Sequence, residues 1–342
     1  MEQYVRIMLG RTRSGITVTE RIFQLLDQPK RDKDGLYITV DGTGHGDLRG
    51  GRNRIYMDDI DGYHPIPADQ ARKHLVKVEE TMRSDEEIRT DLQETFNILA
   101  EMTKAVASNV VKGLVVSGPA GIGKSHTVDT TLRDTLEMLG KLNGKGTMFE
   151  SISGGISAPV LYEKLWDFKD ESQVLVFDDC DGILYDEDSL NVLKAALDSK
   201  KTRKISWNTR SLHLERRDIP NSFEYNGGIV FITNVKFDQV KSARISNHLE
   251  AIVSRCHYMD IGVDTAREKM IHIRNVVERN DMLRDYQFTA EEKAEVMQYV
   301  NDNSSKLREL SLRMVLKIAD LRKAMPNNWV KFVEKNCHRK VA

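Results

Sequence analysis

The stretch GPAGIGKS, Gly118 to Ser125, matches the pattern G-x-x-x-x-G-K-[ST] in full, and it constrains the fold more than any other feature of the chain. The apolar run GLVVSG leads into it and the helical pattern SHTVDTTLRDTLEML leads out of it. A buried strand, a glycine loop and a helix in that order wrap successive backbone N–H groups round a phosphate. Gly118, Gly121 and Gly123 let the backbone curl, and the positive end of the helix points at the same spot. Lys124 is expected to reach the β- and γ-phosphates of a nucleotide, and Ser125 to give its hydroxyl to Mg²⁺. Pro119, Ala120, Ile122 and His126 complete the expected nucleotide-binding stretch.

Two more short apolar runs, VLVFDD and GIVFITN, alternate with helical segments such as EDSLNVLKAALDS. Runs without polar alternation read as strands covered on both faces, and interleaved helices make the sheet parallel. The predicted fold class is therefore α/β: a three-layer αβα core with a parallel sheet over residues 86–263, followed by a helical C-terminal domain over 264–342. Thr289 to Glu292, TAEE, is a capping box that opens one of these C-terminal helices. Residues 1–67 form an N-terminal appendage, glycine-rich and charged, and 68–85 a helical linker. Alternation in GLYITV and RNRIYM predicts a hairpin or two there, partly flexible and without a large core. Gly42, Gly44, Gly46, Gly50 and Gly51 read as a flexible turn, because their spacing does not fit a dinucleotide fingerprint.

A net charge of −1, with 30% charged residues, gives no overall field that would drive the protein onto nucleic acid or membrane, so any basic patch must be local. Cys180, Cys256 and Cys337 are far apart and odd in number, which fits a reducing compartment. The opening MEQYVRIMLGRTRSG lacks a signal-peptide core and no apolar run reaches membrane-spanning length, so the expected location is cytoplasmic, with no membrane partner.

A metal carboxylate should stand at the end of a second buried strand, where open α/β sheets hold ligands. Asp178, after four apolar residues, is assigned to Mg²⁺, and Asp179 to polarising an attacking water. The ordered set GPAGIGKS, VLVFDD, GIVFITN ending in Asn234, SRC at Ser254 to Cys256, and Arg313 resembles the AAA+ ATPases, over roughly residues 86–325. That resemblance implies a P-loop NTPase core, ATP and Mg²⁺ as cofactors, ATP hydrolysis, and assembly into a ring or spiral of copies. It implies that Asn234 is the sensor that orients the lytic water and that Arg313 is a second sensor carried on the lid. The family usually has Glu after the metal-binding Asp, whereas this chain has Asp179, one methylene shorter, which bears on the rate of hydrolysis. AIVSRC is similar to the arginine-finger segment of clamp-loader-type members, so Arg255 is expected to reach the nucleotide of a neighbouring copy. Arg244 is the alternative finger, and a helix C-terminal role for Arg255 is a third reading.

The substrate is sought in the long connection KKTRKISWNTRSLHLERRDIPNSFEYNG. Lys200, Lys201, Arg203, Lys204 and Arg210 surround Trp207, with Arg216 and Arg217 following. Cations flanking an aromatic suit a single-stranded DNA groove; they equally suit a solvated edge hairpin with Trp207 packed inward. The primary expectation is remodelling or loading on DNA through residues 200–217. The alternatives are a protein-remodelling chaperone, with a partner docking on the N-terminal appendage, and a slowly hydrolysing nucleotide switch. The stretch FESISGGISAPVLYEKL has Gly154 and Gly155 but no aromatic between them and the helix, which weighs against an unfoldase.

Overall fold

A computed structural model describes residues 3–13, 15–42, 48, 51–59, 62–71, 83–143, 148–200, 202–235 and 249–339. The chain divides into two compact units, Met1–Glu87 and Ile88–Ala342.

The first unit is built from β1 (Gln3–Thr12), β2 (Thr17–Asp32), β3 (Gly35–Asp41), β4 (Arg52–Met57) and β5 (Tyr63–Ile66), all antiparallel. β2 pairs with β3 and β3 with β4, while β2, β4 and β5 all pair with β1, so the sheet closes on itself. Register shifts between Leu25 and Asp27 and between Asp27 and Lys30 bend the long β2. Val5, Ile7, Val18, Phe23, Ile38, Val40, Ile55 and Met57 fill the interior. The expectation was a hairpin or two without a large core; the unit is a single five-stranded sheet around these eight side chains. GLYITV and RNRIYM do form β3 and β4, but they pair with two further strands whose charged residues face outward. Of the glycines, Gly42 and Gly51 are joined by a hydrogen bond of 2.7 Å. Gly44, Gly46 and Gly50, and most of the 68–85 segment, lie outside the described residues.

The second unit carries α1 (Asp85–Ala107, its first residues shared with the first unit), β6 (Gly113–Ser117), α2 (Lys124–Asn143), β7 (Phe149–Ser153), α3 (Ala158–Asp167), β8 (Val174–Asp178) and α4 (Glu187–Ala196). These are followed by β9 (Lys204–Ser206), α5 (Leu212–Arg216), β10 (Ser222–Glu224), β11 (Gly228–Thr233) and β12 (His257–Asp260). The main sheet runs β12-β6-β11-β8-β7, every pair parallel. Alternate side chains of its central strands enter two separate cores. Val115, Leu175, Phe177, Ile229 and Phe231 pack with Leu161, Leu165, Leu190 and Leu193 of α3 and α4. Leu114, Val116, Val174, Val176, Val230 and Ile232 pack with Leu92 and Leu99 of α1 and Val128 and Leu132 of α2. That is the three-layer α/β core expected from unbroken apolar runs. Four helices follow, α6 (Ala266–Arg279), α7 (Ala290–Asp302), α8 (Leu312–Ala324) and α9 (Trp329–Cys337), around Ile273, Val296, Val315, Ile318 and Val333. Capping boxes at Thr265/Glu268 and Thr289/Glu292 start α6 and α7. Among the described residues no helix is long and apolar enough to cross a membrane.

Candidate active site

All five residues of β6 are buried, and the chain leaves the sheet into the loop Gly118–Gly123. Gly121 has φ +72, and a Cβ there would lie 2.9 Å from the Ser311 Cβ, so both its backbone angle and its surroundings exclude a side chain. Lys124, first residue of α2, is buried, and its Nζ donates to Gly118 O at 2.6 Å, Pro119 O at 2.8 Å and Asn234 Oδ1 at 3.0 Å. Burial pushes its pKa down to about 8; Asp179 and Asp178 oppose that shift, and Arg313 adds to it.

Asp178 ends β8 directly beside Ile232 of β11. Burial raises its carboxyl above the ordinary range, opposed by a hydrogen bond with Ser125, while the charge of Asp179 raises it further. Asp179 turns with φ +53, a left-handed conformation that Asp tolerates better than most residues. Its Oδ1 accepts from Asn234 Nδ2 at 2.7 Å. Asn234, one residue past β11, thus bridges Lys124 to Asp179 with the two ends of one amide.

These groups open into a cleft of about 990 Å³. Leu92 and Phe96 of α1 line one wall, and His272 of α6 with Leu312, Arg313 and Leu316 of α8 line the lid side. Arg313 is exposed and lies in the first turn of α8, whose Ser311 caps the helix. The lid touches the loop directly: Leu312 N donates to Gly121 O at 2.8 Å, and His272 Nε2 bonds Ile122 O at 2.7 Å. The structure therefore brings Lys124, Ser125, Asp178, Asp179, Asn234 and Arg313 together at the expected loop, and His126 also lines the cleft. His272 and Phe96 were not legible as site residues, because their contacts are a ring stack and a backbone carbonyl distant in sequence.

Arg255 is not among the residues lining this cleft. It is exposed just before β12, and its Nη1 reaches Ala251 O at 2.5 Å, as an arginine at a helix C-terminus does. Arg244 lies outside the described residues.

The basic connection differs from a nucleic-acid groove at two positions. Arg203 is only 3% exposed. Its Nη1 and Nη2 donate to Ala196 O and Gly227 O, each at 2.9 Å, and its guanidinium lies 5.0 Å from the centre of the Tyr225 ring. A cation so placed serves the C-terminal carbonyl of α4 and is withdrawn from any phosphate. Trp207 is half-buried, packed against the core with its ring centre 5.7 Å from that of Tyr162. Lys200, Lys204 and Arg210 are exposed, with Lys200 3.5 Å from Asp198 and Arg210 3.2 Å from Glu215. Lys201 lies outside the described residues. In place of the expected local hairpin, β9 pairs antiparallel with β10 across a connection that carries α5.

No protein-family model matches the chain. Over 257 residues, 74% of this chain and 77% of the other, it is 38% identical to an uncharacterized 36.7 kDa protein from the nrdC-mobD intergenic region of Enterobacteria phage T4. The chain belongs to the family of that phage protein. Similar solved structures include a replication initiator DnaA bound to AMPPCP and single-stranded DNA, 13% identical with a TM-score of 0.41 over 70% of this chain and 63% of that one. A C. elegans PCH-2 structure is 14% identical, with a TM-score of 0.36 over 71% of this chain and 66% of that one. A DNA replication initiation factor is 12% identical with a TM-score of 0.37. This chain spans 63% of the length of each of the two initiation structures.

Proposed function

We propose that the protein is an Mg²⁺-dependent ATPase of the AAA+ type, working as an oligomer in which Arg255 of each copy completes the cleft of the next. The observation that carries this reading is the convergence of the glycine loop, Lys124, the Ser125–Asp178 pair, the Asp179–Asn234 pair and the lid's Arg313 on one cleft. Ser125 and Asp178 fit an Mg²⁺ ion, because a hydroxyl and a carboxylate on one cleft are two hard oxygen donors in one place. When bound, the ion would supply charge neutralisation on the β- and γ-phosphates. Lys124 would exchange its loop carbonyls and the Asn234 amide oxygen for phosphate oxygens. That exchange releases the Asn234 amide oxygen, so Asn234 can orient a water against Asp179, which accepts the proton as the water attacks. Arg313 and the neighbour's Arg255 would meet the charge that develops on the γ-phosphate.

For the coupled substrate, the DNA reading loses Arg203 and Trp207 to the core and rests on the exposed Lys200, Lys204, Arg210 and Arg216, with Lys201 outside the described residues. A specific observation favours the second reading, a protein partner: the N-terminal unit is a closed, cored sheet and so a folded module suited to docking. Steady-state ATP hydrolysis with and without single-stranded DNA tests both. Turnover lost in Lys124→Ala and in Arg255→Ala, and partly restored on mixing the two, supports the oligomeric ATPase. No rescue at any mixing ratio removes the role of Arg255 in trans. Stimulation by DNA that disappears when Lys204 and Arg210 are reversed in charge supports the DNA substrate; indifference to DNA supports the protein partner.

A further inference from the structure

Two consecutive carbonyls of the phosphate loop are held by the lid. Gly121 O takes the Leu312 N–H of α8, and Ile122 O takes His272 Nε2 of α6. A carbonyl only accepts, so the Nε2 of His272 carries its proton and the neutral ring leaves Nδ1 as an acceptor. That Nδ1 is buried with no partner, the residue is 3% exposed, and the ring stacks on Phe96 of α1 at 4.7 Å between centres. Burial correspondingly disfavours the charged form. A body held by one hydrogen bond pivots about it; two bonds to adjacent carbonyls, one from each of two helices, fix its angle. Arg313 follows Leu312, so it stands next to the pivot and its reach depends on that angle.

We propose that His272 is a positioning residue that fixes the lid on the phosphate loop through the Ile122 carbonyl and thereby aims Arg313 at the γ-phosphate. The inference rests on the ATP-binding reading above. The same bonds give a shift of the loop on nucleotide binding a direct route to the lid.

The test compares ATP and ADP affinity, by calorimetry, in wild type, His272→Phe, His272→Gln, Arg313→Ala and the His272→Phe/Arg313→Ala double variant. Phenylalanine keeps the ring against Phe96 but lacks the donor; glutamine restores an N–H at similar reach. His272→Phe should weaken ATP binding about tenfold, the size of one well-placed hydrogen bond. ADP, without the γ-phosphate, should change less than about twofold on the same reasoning. His272→Gln should recover most of the ATP affinity, and Arg313→Ala should cost little more in the His272→Phe background. Additive losses from the two sites, or equal losses for ATP and ADP, would overturn the proposal while leaving the ATP site standing. If His272→Phe does not fold, a folded His272→Gln that has lost its preference for ATP over ADP overturns it, and one that keeps that preference supports it. A wild-type protein that binds neither nucleotide removes the site reading and this inference with it, before any variant is made.

Discussion

Nucleotide binding should draw protons onto Lys124. In the ligand-free protein burial holds its pKa at about 8, against an ordinary 10.5. Phosphates arriving beside the ammonium favour its charged form and return the pKa toward the ordinary value. The uptake on binding is then the fraction of lysine that was neutral: about 0.1 proton at pH 7, about 0.5 at pH 8 and about 0.9 at pH 9. Linkage fixes the sign. The bound state holds more protons, so affinity falls as pH rises, by about tenfold between pH 7 and pH 9. Phosphate groups lose their last proton at about pH 6, below this window, and do not obscure it. Calorimetric titration with Mg²⁺-ATP at pH 7, 8 and 9, in buffer pairs of different ionisation enthalpy, reads the uptake directly. Lys124→Arg, charged throughout the range, should bind without it. Heats that do not depend on buffer at pH 8, or an uptake that survives in Lys124→Arg, would refute the reasoning.

Asp179→Asn keeps the partner of the Asn234 amide but removes the base, so it should lower turnover by about 10²-fold or more while ATP affinity changes little; single-turnover hydrolysis beside equilibrium binding checks this. Arg203→Ala leaves the Ala196 and Gly227 carbonyls without their donor and should cost about 2–4 kcal/mol, measured by urea unfolding, with no change in DNA affinity. His272 has a folded-state pKa below its ordinary 6.5, because burial outweighs the bond to Ile122. Its contribution is thus fully present above about pH 6.5 and is lost as pH falls through the lower folded value, which His272→Gln should abolish in a melting-temperature profile.

What could be read in the sequence was local. Gly118 to Ser125, Asp178 and Asn234 each follow an unbroken apolar strand, so a short window supplies both the residue and its place at the sheet's edge. The three-layer core was legible for the same reason. Arg203 was not, because both its partners are main-chain oxygens, one of them 24 residues away, and carbonyls carry no side-chain signature. His272 is the same case over 150 residues. The N-terminal sheet was missed because β1 and β2 intersperse arginines and acids on the outer face. Closure depends on pairings such as Arg11 with Tyr56, which alternation within one strand does not reveal.

The two halves of the long basic connection are fastened by different chemistry, and acid distinguishes them. α5 is held to α3 by carboxylates: Glu163 meets His213 and, at 2.8 Å, Arg217, which also lies 3.6 Å from Asp167. β9 and β10 are tied down through Arg203, whose acceptors are peptide oxygens that do not titrate. Burial holds the Asp167 carboxyl above its ordinary range, so acid reaches that contact of α5 with α3 early, whereas the acceptors of Arg203 and the packing of Leu214 into the core are indifferent to pH.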